Sequence, residues 1–148
     1  MRAWLGLLMC AAVAAASVPV RAQDAACAKS DFEAVVDSAA AALRDLNLKH
    51  RPAFQEKLRS LKVKRGWNDD QFLKEAAPFV KDDATDAYDA KSNELLAKIT
   101  AMGQSGAEAK TPDCALMAEL TGHMQALVQA QTDKWKYLSD KLAAELAK

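Results

Sequence analysis

The chain has 148 residues, 51% of them hydrophobic but only 6% aromatic, and its 20 basic residues balance its 20 acidic ones. That length suits one compact domain. Neutrality argues against a general nucleic-acid binder, three cysteines are too few for a disulfide-built scaffold, and the large apolar fraction argues against wholesale disorder.

Residues 1–22 read as a secretory signal peptide: Arg2 opens it, an apolar run covers 3–18, and Pro19 leads to the small-residue approach Val20, Arg21, Ala22. A membrane anchor would need about 20 consecutive apolar residues. A lipoprotein signal would need a small residue before Cys10, where Met9 stands. Cleavage before Gln23 leaves one domain, residues 23–148, with 126 residues, 18 basic and 20 acidic side chains and a net charge of −2. Two cysteines remain, Cys27 and Cys114, and in an exported chain they predict a disulfide.

The remainder reads as helix throughout. Convincing period-two alternation is absent, and alanine fills 25 of the 126 positions. Ser30 and Glu33 suggest a capping box for a first helix over 31–47, with Phe32, Val35, Val36, Ala39, Leu43 and Leu46 on one face. Pro52 suits the first turn of a second helix carrying Phe54, Leu58 and Leu61, which Gly66 ends. Asn68 and Gln71 cap a third, which Pro78 breaks near Ala77; Trp67 is placed to staple onto Phe72.

A fourth helix over 82–102 buries Ala84, Tyr88, Leu95, Ile99 and Met102 and ends at Gly103. After a linker at 103–111, Thr111 and Pro112 open the longest helix. Its Met117, Leu120, Met124, Leu127, Gln131, Trp135, Leu138 and Leu142 alternate by three and four, and Gly122 is the expected place for a bend or for close approach of another helix. The disulfide would bring the N-termini of the first and last helices together, so these run parallel and the fourth runs antiparallel to the last. The expected fold is all-α, a four- or five-helix bundle with a long C-terminal helix and one disulfide, after a cleaved signal peptide.

No catalytic constellation is recognised: the domain has two histidines, His50 and His123, and no nucleophile elbow, so an enzyme is not expected. No zinc pattern and no haem-attachment motif is present, and no cofactor is expected. His123, Met102, Met117 and Met124 are the weak candidates for soft-metal or haem ligation, against which stands the ordinary use of methionine in helix seams.

Charge is segregated. Residues 49–65 carry seven basic side chains against Glu56, a balance of +6, and residues 69–94 carry eight acids against three lysines, a balance of −5. These segments either attract each other or offer Lys49, Arg51, Arg59, Lys62 and Arg65 as a surface for an anionic partner or lipid headgroups. Asp82, Asp86 and Asp89 share a helical face and are weighed as a weak cation site against acids placed at a helix N-terminus by its dipole.

Size, export, helices and one long-range disulfide, with Cys27 followed by Asp31-Phe32 and a Lys/Trp-containing last helix, loosely resemble the small acid-stress chaperones of the bacterial periplasm. No diagnostic motif accompanies the resemblance. The segment 120–125 also departs from the Leu-Thr-x-x-Gln repeat of other periplasmic helical chaperones by one residue, so no family is assigned. The expected function is that of a periplasmic or secreted, chaperone-like or envelope-stress binding protein. Its partner would be a protein or envelope component reached through an apolar surface around Trp67, Phe72 and Phe79, exposed when acidification loosens the charged segments. The alternative is a bundle holding haem, copper or a lipid.

Overall fold

The computed structural model describes residues 27–148, so the expected signal peptide at 1–22 lies outside the described residues. Five helices follow in order: α1 (Lys29–Arg65), α2 (Asp69–Glu75), α3 (Ala77–Val80), α4 (Asp83–Glu108) and α5 (Cys114–Ala147), with no strand among the described residues. Three are long and two are short. The described part is therefore all-α, as the residue pattern predicts.

The first two expected helices are one. α1 runs 37 residues, about 55 Å, with Pro52 inside it. Proline lacks the N–H that would reach the carbonyl of Leu48, and an interior proline disfavours helix by about 3 kcal/mol. Leu48 and Pro52 are both exposed, so the break falls on the outward side of α1. Beyond the proline, Phe54, Leu58 and Leu61 bury themselves on α5, each contributing about 1.5–3 kcal/mol, and together they outweigh the break. The apolar stripe of the first segment simply continues through His50 into the second.

The start of α1 also differs from expectation. Ala28 is the N-cap, and its N–H donates to Asp31 Oδ2 at 2.7 Å, so Asp31 rather than Glu33 supplies the reciprocal bond. At the other end Gly66 takes φ 65°, a left-handed conformation, and Trp67 N–H donates to Lys62 O at 3.1 Å. Asn68 and Gln71 form the capping box of α2 as expected, with bonds of 2.9 and 3.0 Å. Pro78 lies in the first turn of α3, where its missing N–H does no harm.

α4 continues past Gly103 to Glu108, because Gly103 does not take the left-handed conformation that ends α1. Its last turns stay packed: a Cβ at Gly106 would lie 3.6 Å from both the Phe32 ring and the Leu116 side chain. The linker shortens to residues 109–113, and α5 starts at Cys114 behind Asp113, whose carboxylate accepts from the N–H groups of Ala115 and Leu116. Gly122 lies within an unbroken helix, and nothing approaches the position of its missing Cβ within 4 Å, so no helix packs closely there.

The Cys27–Cys114 disulfide is formed, with the Cα atoms 5.5 Å apart. It brings the N-termini of α1 and α5 together. Phe32, Val35 and Ala39 of α1 pack with Leu120 and Met124, while Phe54, Leu58 and Leu61 pack with Leu138 and Leu142, so α1 and α5 run parallel. Asp82 meets Lys141, Ser92 meets Gln131, and Met102 joins the Leu120 cluster, so α4 runs antiparallel to α5. α5 is the spine: α1 and α4 pack extensively on it and much less on each other. The short helices close the end opposite the disulfide rather than filling a side, giving a three-helix bundle with a two-helix strap.

The face that α4 turns to α5 differs from the expected one in two places. Thr85 and Ser92 are buried, and with Tyr88, Leu95, Ile99 and Met102 they complete a three-four alternation. Ser92 Oγ donates to Tyr88 O and accepts from Gln131 Nε2, each at 2.8 Å, so the polar positions on both seams satisfy one another.

Candidate functional site

The strap formed by α2 and α3 gathers the three aromatic residues singled out in the sequence. Trp67, Phe72 and Phe79 are all half-buried and pack against Phe54, Leu58, Leu61, Ala76, Leu138 and Leu142. They form the underside of a cover over the apolar end of the α1–α5 pair, not an open surface. Leu73 and Val80, on the same two helices, are the large apolar side chains left exposed.

Two lysines hold this cover down. Lys62 of α1 pairs with Asp69 and lies 5.5 Å from the centre of the Phe72 ring. Lys141 of α5 donates to Pro78 O at 2.6 Å and pairs with Asp82, the N-cap of α4, while lying 5.9 Å from the centre of Phe79. Tyr137 O–H donates to the same Asp82 oxygen at 2.6 Å, and the opposite oxygen accepts from Thr85 N–H. Lys141, then Tyr137, then Thr85 N–H hold the Asp82 carboxyl far below its ordinary range, and the same contact raises Lys141. Lys141, Tyr137 and Asp82 were not legible as a group, because 59 positions separate Asp82 from Lys141.

The basic segment divides into four groups. Lys57 and Lys64 donate to carbonyls near the C-terminus of α5, Ser139 O at 3.3 Å and Leu146 O at 2.6 Å, and Arg65 pairs with Glu145. Lys62 serves the strap, and Arg59 pairs with Glu56 on its own helix. Lys49 and Arg51 are exposed and form no ion pair among the described residues. The acidic segment is not held by the basic one: Asp82 pairs with Lys141 and Asp89 with Lys134 on α5, Asp86 pairs with Lys81 and Glu94 with Lys98 close by in the chain, and Lys62–Asp69 is the link between the two segments.

This placement also separates the three aspartates weighed as a cation site. Asp82, Asp86 and Asp89 are neutralised by Lys141, Lys81 and Lys134 respectively, and converge on no common point. Met102 and Met124 belong to the apolar cluster around Ala39 and Leu120, Met117 is half-buried, and His123 Nε2 lies 3.7 Å from Glu119 one turn away. Core packing accounts for the two clustered methionines. No group of three or more His, Cys, Asp or Glu side chains suited to a metal occurs among the described residues.

Two grooves flank the spine. One, of about 440 Å³, runs between α1 and α5 past Val35, Ala39, Ala42, Met124 and Val128. The other, of about 500 Å³, lies by the disulfide between the start of α1 and the end of α4, over Phe32, Val36, Gly106, Ala107 and Leu120, with Lys29, Glu33, Asp37 and Lys110 on its banks. Among the described residues no helix is long and apolar enough to cross a membrane. Comparison of the chain with protein-family models, with curated proteins and with solved structures finds no match in any of the three.

Proposed function

We propose that this chain is an exported, periplasmic or secreted binding protein that captures apolar segments of partner proteins in the manner of a chaperone, as part of envelope maintenance. The observation that supports this is the strap. Its three half-buried aromatic residues cover a continuous apolar surface, yet polar and cation–π contacts from Lys62 and Lys141 fix its edges. The Lys62–Asp69 contact lies at the surface and exchanges readily with water, and an apolar segment of a partner can cover the surface beneath as the strap does. Export agrees with the disulfide.

Acid is not the natural release for this strap. Asp69 and Asp82, the carboxylates at its edges, are both lowered, by Lys62 and by Lys141 with Tyr137, so they stay ionised under mild acidity. Displacement by the partner itself is the simpler trigger. The test is light scattering from a heat-unfolded client with the purified chain and with Lys141→Met, which frees one edge of the strap. Suppression of aggregation by the native chain, and stronger suppression by the variant, is expected. Failure of both to alter aggregation would overturn the reading.

A second reading, a small-ligand bundle, draws on the groove beside the disulfide, whose size of about 500 Å³ falls within the usual range for small-molecule sites. Native mass spectrometry of protein purified from its own source would show a retained mass if that reading holds, and none if it does not.

A further inference from the structure

The outward side of α1 shows a pattern that bundle packing does not use. Leu48, Pro52, Arg59 and Val63 recur at helical spacing along it and all are exposed, with Leu48 at 73% and Val63 at 81% of full exposure. Single exposed apolar residues are ordinary. Here, however, Leu48 lies between Arg44, Lys49 and Arg51, three exposed cations with no ion pair among the described residues. The other cations of the segment turn to α5, to the strap or to Glu56, so the structure leaves unpaired those that surround the exposed leucine. Asp45 is the one acid within this stretch.

We infer that this side of α1, centred on Leu48 with Arg44, Lys49 and Arg51, is a docking face for an anionic lipid surface. Charge complementarity draws it there: an anionic leaflet attracts each nearby lysine or arginine by about 1 kcal/mol, roughly a fivefold gain in partitioning per residue. The leucine selects a membrane over a soluble acidic partner, since at a lipid interface its side chain enters the boundary between headgroups and acyl chains while the flanking basic side chains stay among the headgroups. With three cations and few apolar residues the association is weak, reversible and salt-sensitive. It uses none of the strap's residues and stands independently of the capture reading.

The experiment is co-sedimentation of the disulfide-bonded protein with vesicles of phosphatidylcholine, with or without about a third of phosphatidylglycerol, at low and high salt. Binding to the anionic vesicles alone, lost at high salt, is expected. The pair Lys49→Glu with Arg51→Glu should lower partitioning at least about 25-fold, and Leu48→Ser several-fold. The pair Lys91→Glu with Lys110→Glu, which changes net charge equally elsewhere, should leave most of the binding. Circular dichroism verifies folding of each variant. No binding to anionic vesicles, or equal loss in both charge-reversed pairs, would overturn the inference. So would binding that is indifferent to Leu48→Ser, which would point to a soluble polyanion.

Discussion

Replacing Pro52 by alanine should make the protein more stable, although the residue lies at the middle of its longest helix. Alanine restores the N–H that the Leu48 carbonyl lacks and removes the ring from the preceding turn. The two residues differ by about 3 kcal/mol in a helix interior, of which a hydrogen bond accounts for about 0.5–1.5 kcal/mol. Against this, alanine returns about 0.4–1 kcal/mol of conformational entropy to the unfolded chain, and α1 has already adapted to the proline. A net gain of about 1–2 kcal/mol remains, or about 4–8 °C in melting temperature for a domain of this size. Pro78, in the first turn of α3, is the opposite case. Its ring fits the backbone there, so Pro78→Ala should lose about 0.4–1 kcal/mol. Urea denaturation of both variants decides it. If Pro52→Ala is neutral or destabilising, the packing of α1 on α5 depends on a distortion that the proline supplies, and the account of one continuous helix formed against its proline is wrong.

Three further outcomes follow from the geometry. Breaking the disulfide by Cys27→Ser with Cys114→Ser releases a loop spanning 87 positions, and the chain-entropy model puts the loss at about 4–5 kcal/mol; a urea midpoint corresponding to a loss under 1 kcal/mol would contradict it. Leu142 is fully buried under the strap and against α1, so Leu142→Ala should lose about 2–5 kcal/mol, whereas Val63→Ala on the exposed side should stay within about 0.5 kcal/mol; comparable losses would mean that the assigned core is wrong. Because the folded-state pKa of Asp82 is depressed, its ionised form stabilises the fold above the ordinary carboxylate value near 4 and that contribution disappears progressively below it. Asp82→Asn should therefore flatten the fall in melting temperature between about pH 4 and pH 2, and parallel curves for the two proteins would remove Asp82 from the acid response.

Much of the fold is legible where a local pattern and the long-range requirement agree. Cys27 and Cys114, expected to pair, are bonded, and Leu120, Leu127, Leu138 and Leu142 mark a seam that the structure buries. Legibility fails where packing overrides a local signal. Pro52 and Gly103 both read as breaks, yet the first lies between two halves of one apolar stripe and the second precedes a turn that packs beside Phe32. Thr85 and Ser92 are missing from the expected face of α4 because their partners, Asp82 backbone and side-chain groups in one case and Tyr88 O with Gln131 in the other, appear only once α4 is formed and docked. The charge segregation is visible in the sequence, but its pairing is not: Asp82 and Asp89 meet lysines of α5 instead of the basic segment of α1.

The two ends of the bundle are closed by different chemistry, and that difference orders how it loosens. At one end a covalent bond ties α1 to α5, and its opening requires reduction. At the other, the strap rests on half-buried aromatic residues and on lysine contacts at its rim, while α1 and α4 brace each other little. Local opening begins where few apolar contacts are fully buried and polar contacts are near water, so the strap should open before either long helix leaves the spine. Amide exchange by mass spectrometry measures this directly: α2 and α3 should exchange well ahead of residues 120–142 in the oxidised protein, and reduction should speed exchange at the start of α1 while leaving the strap nearly unchanged. Strap amides that exchange with the core in one step would show that the cover is part of the global fold, and would remove the physical basis for a surface that opens to a partner.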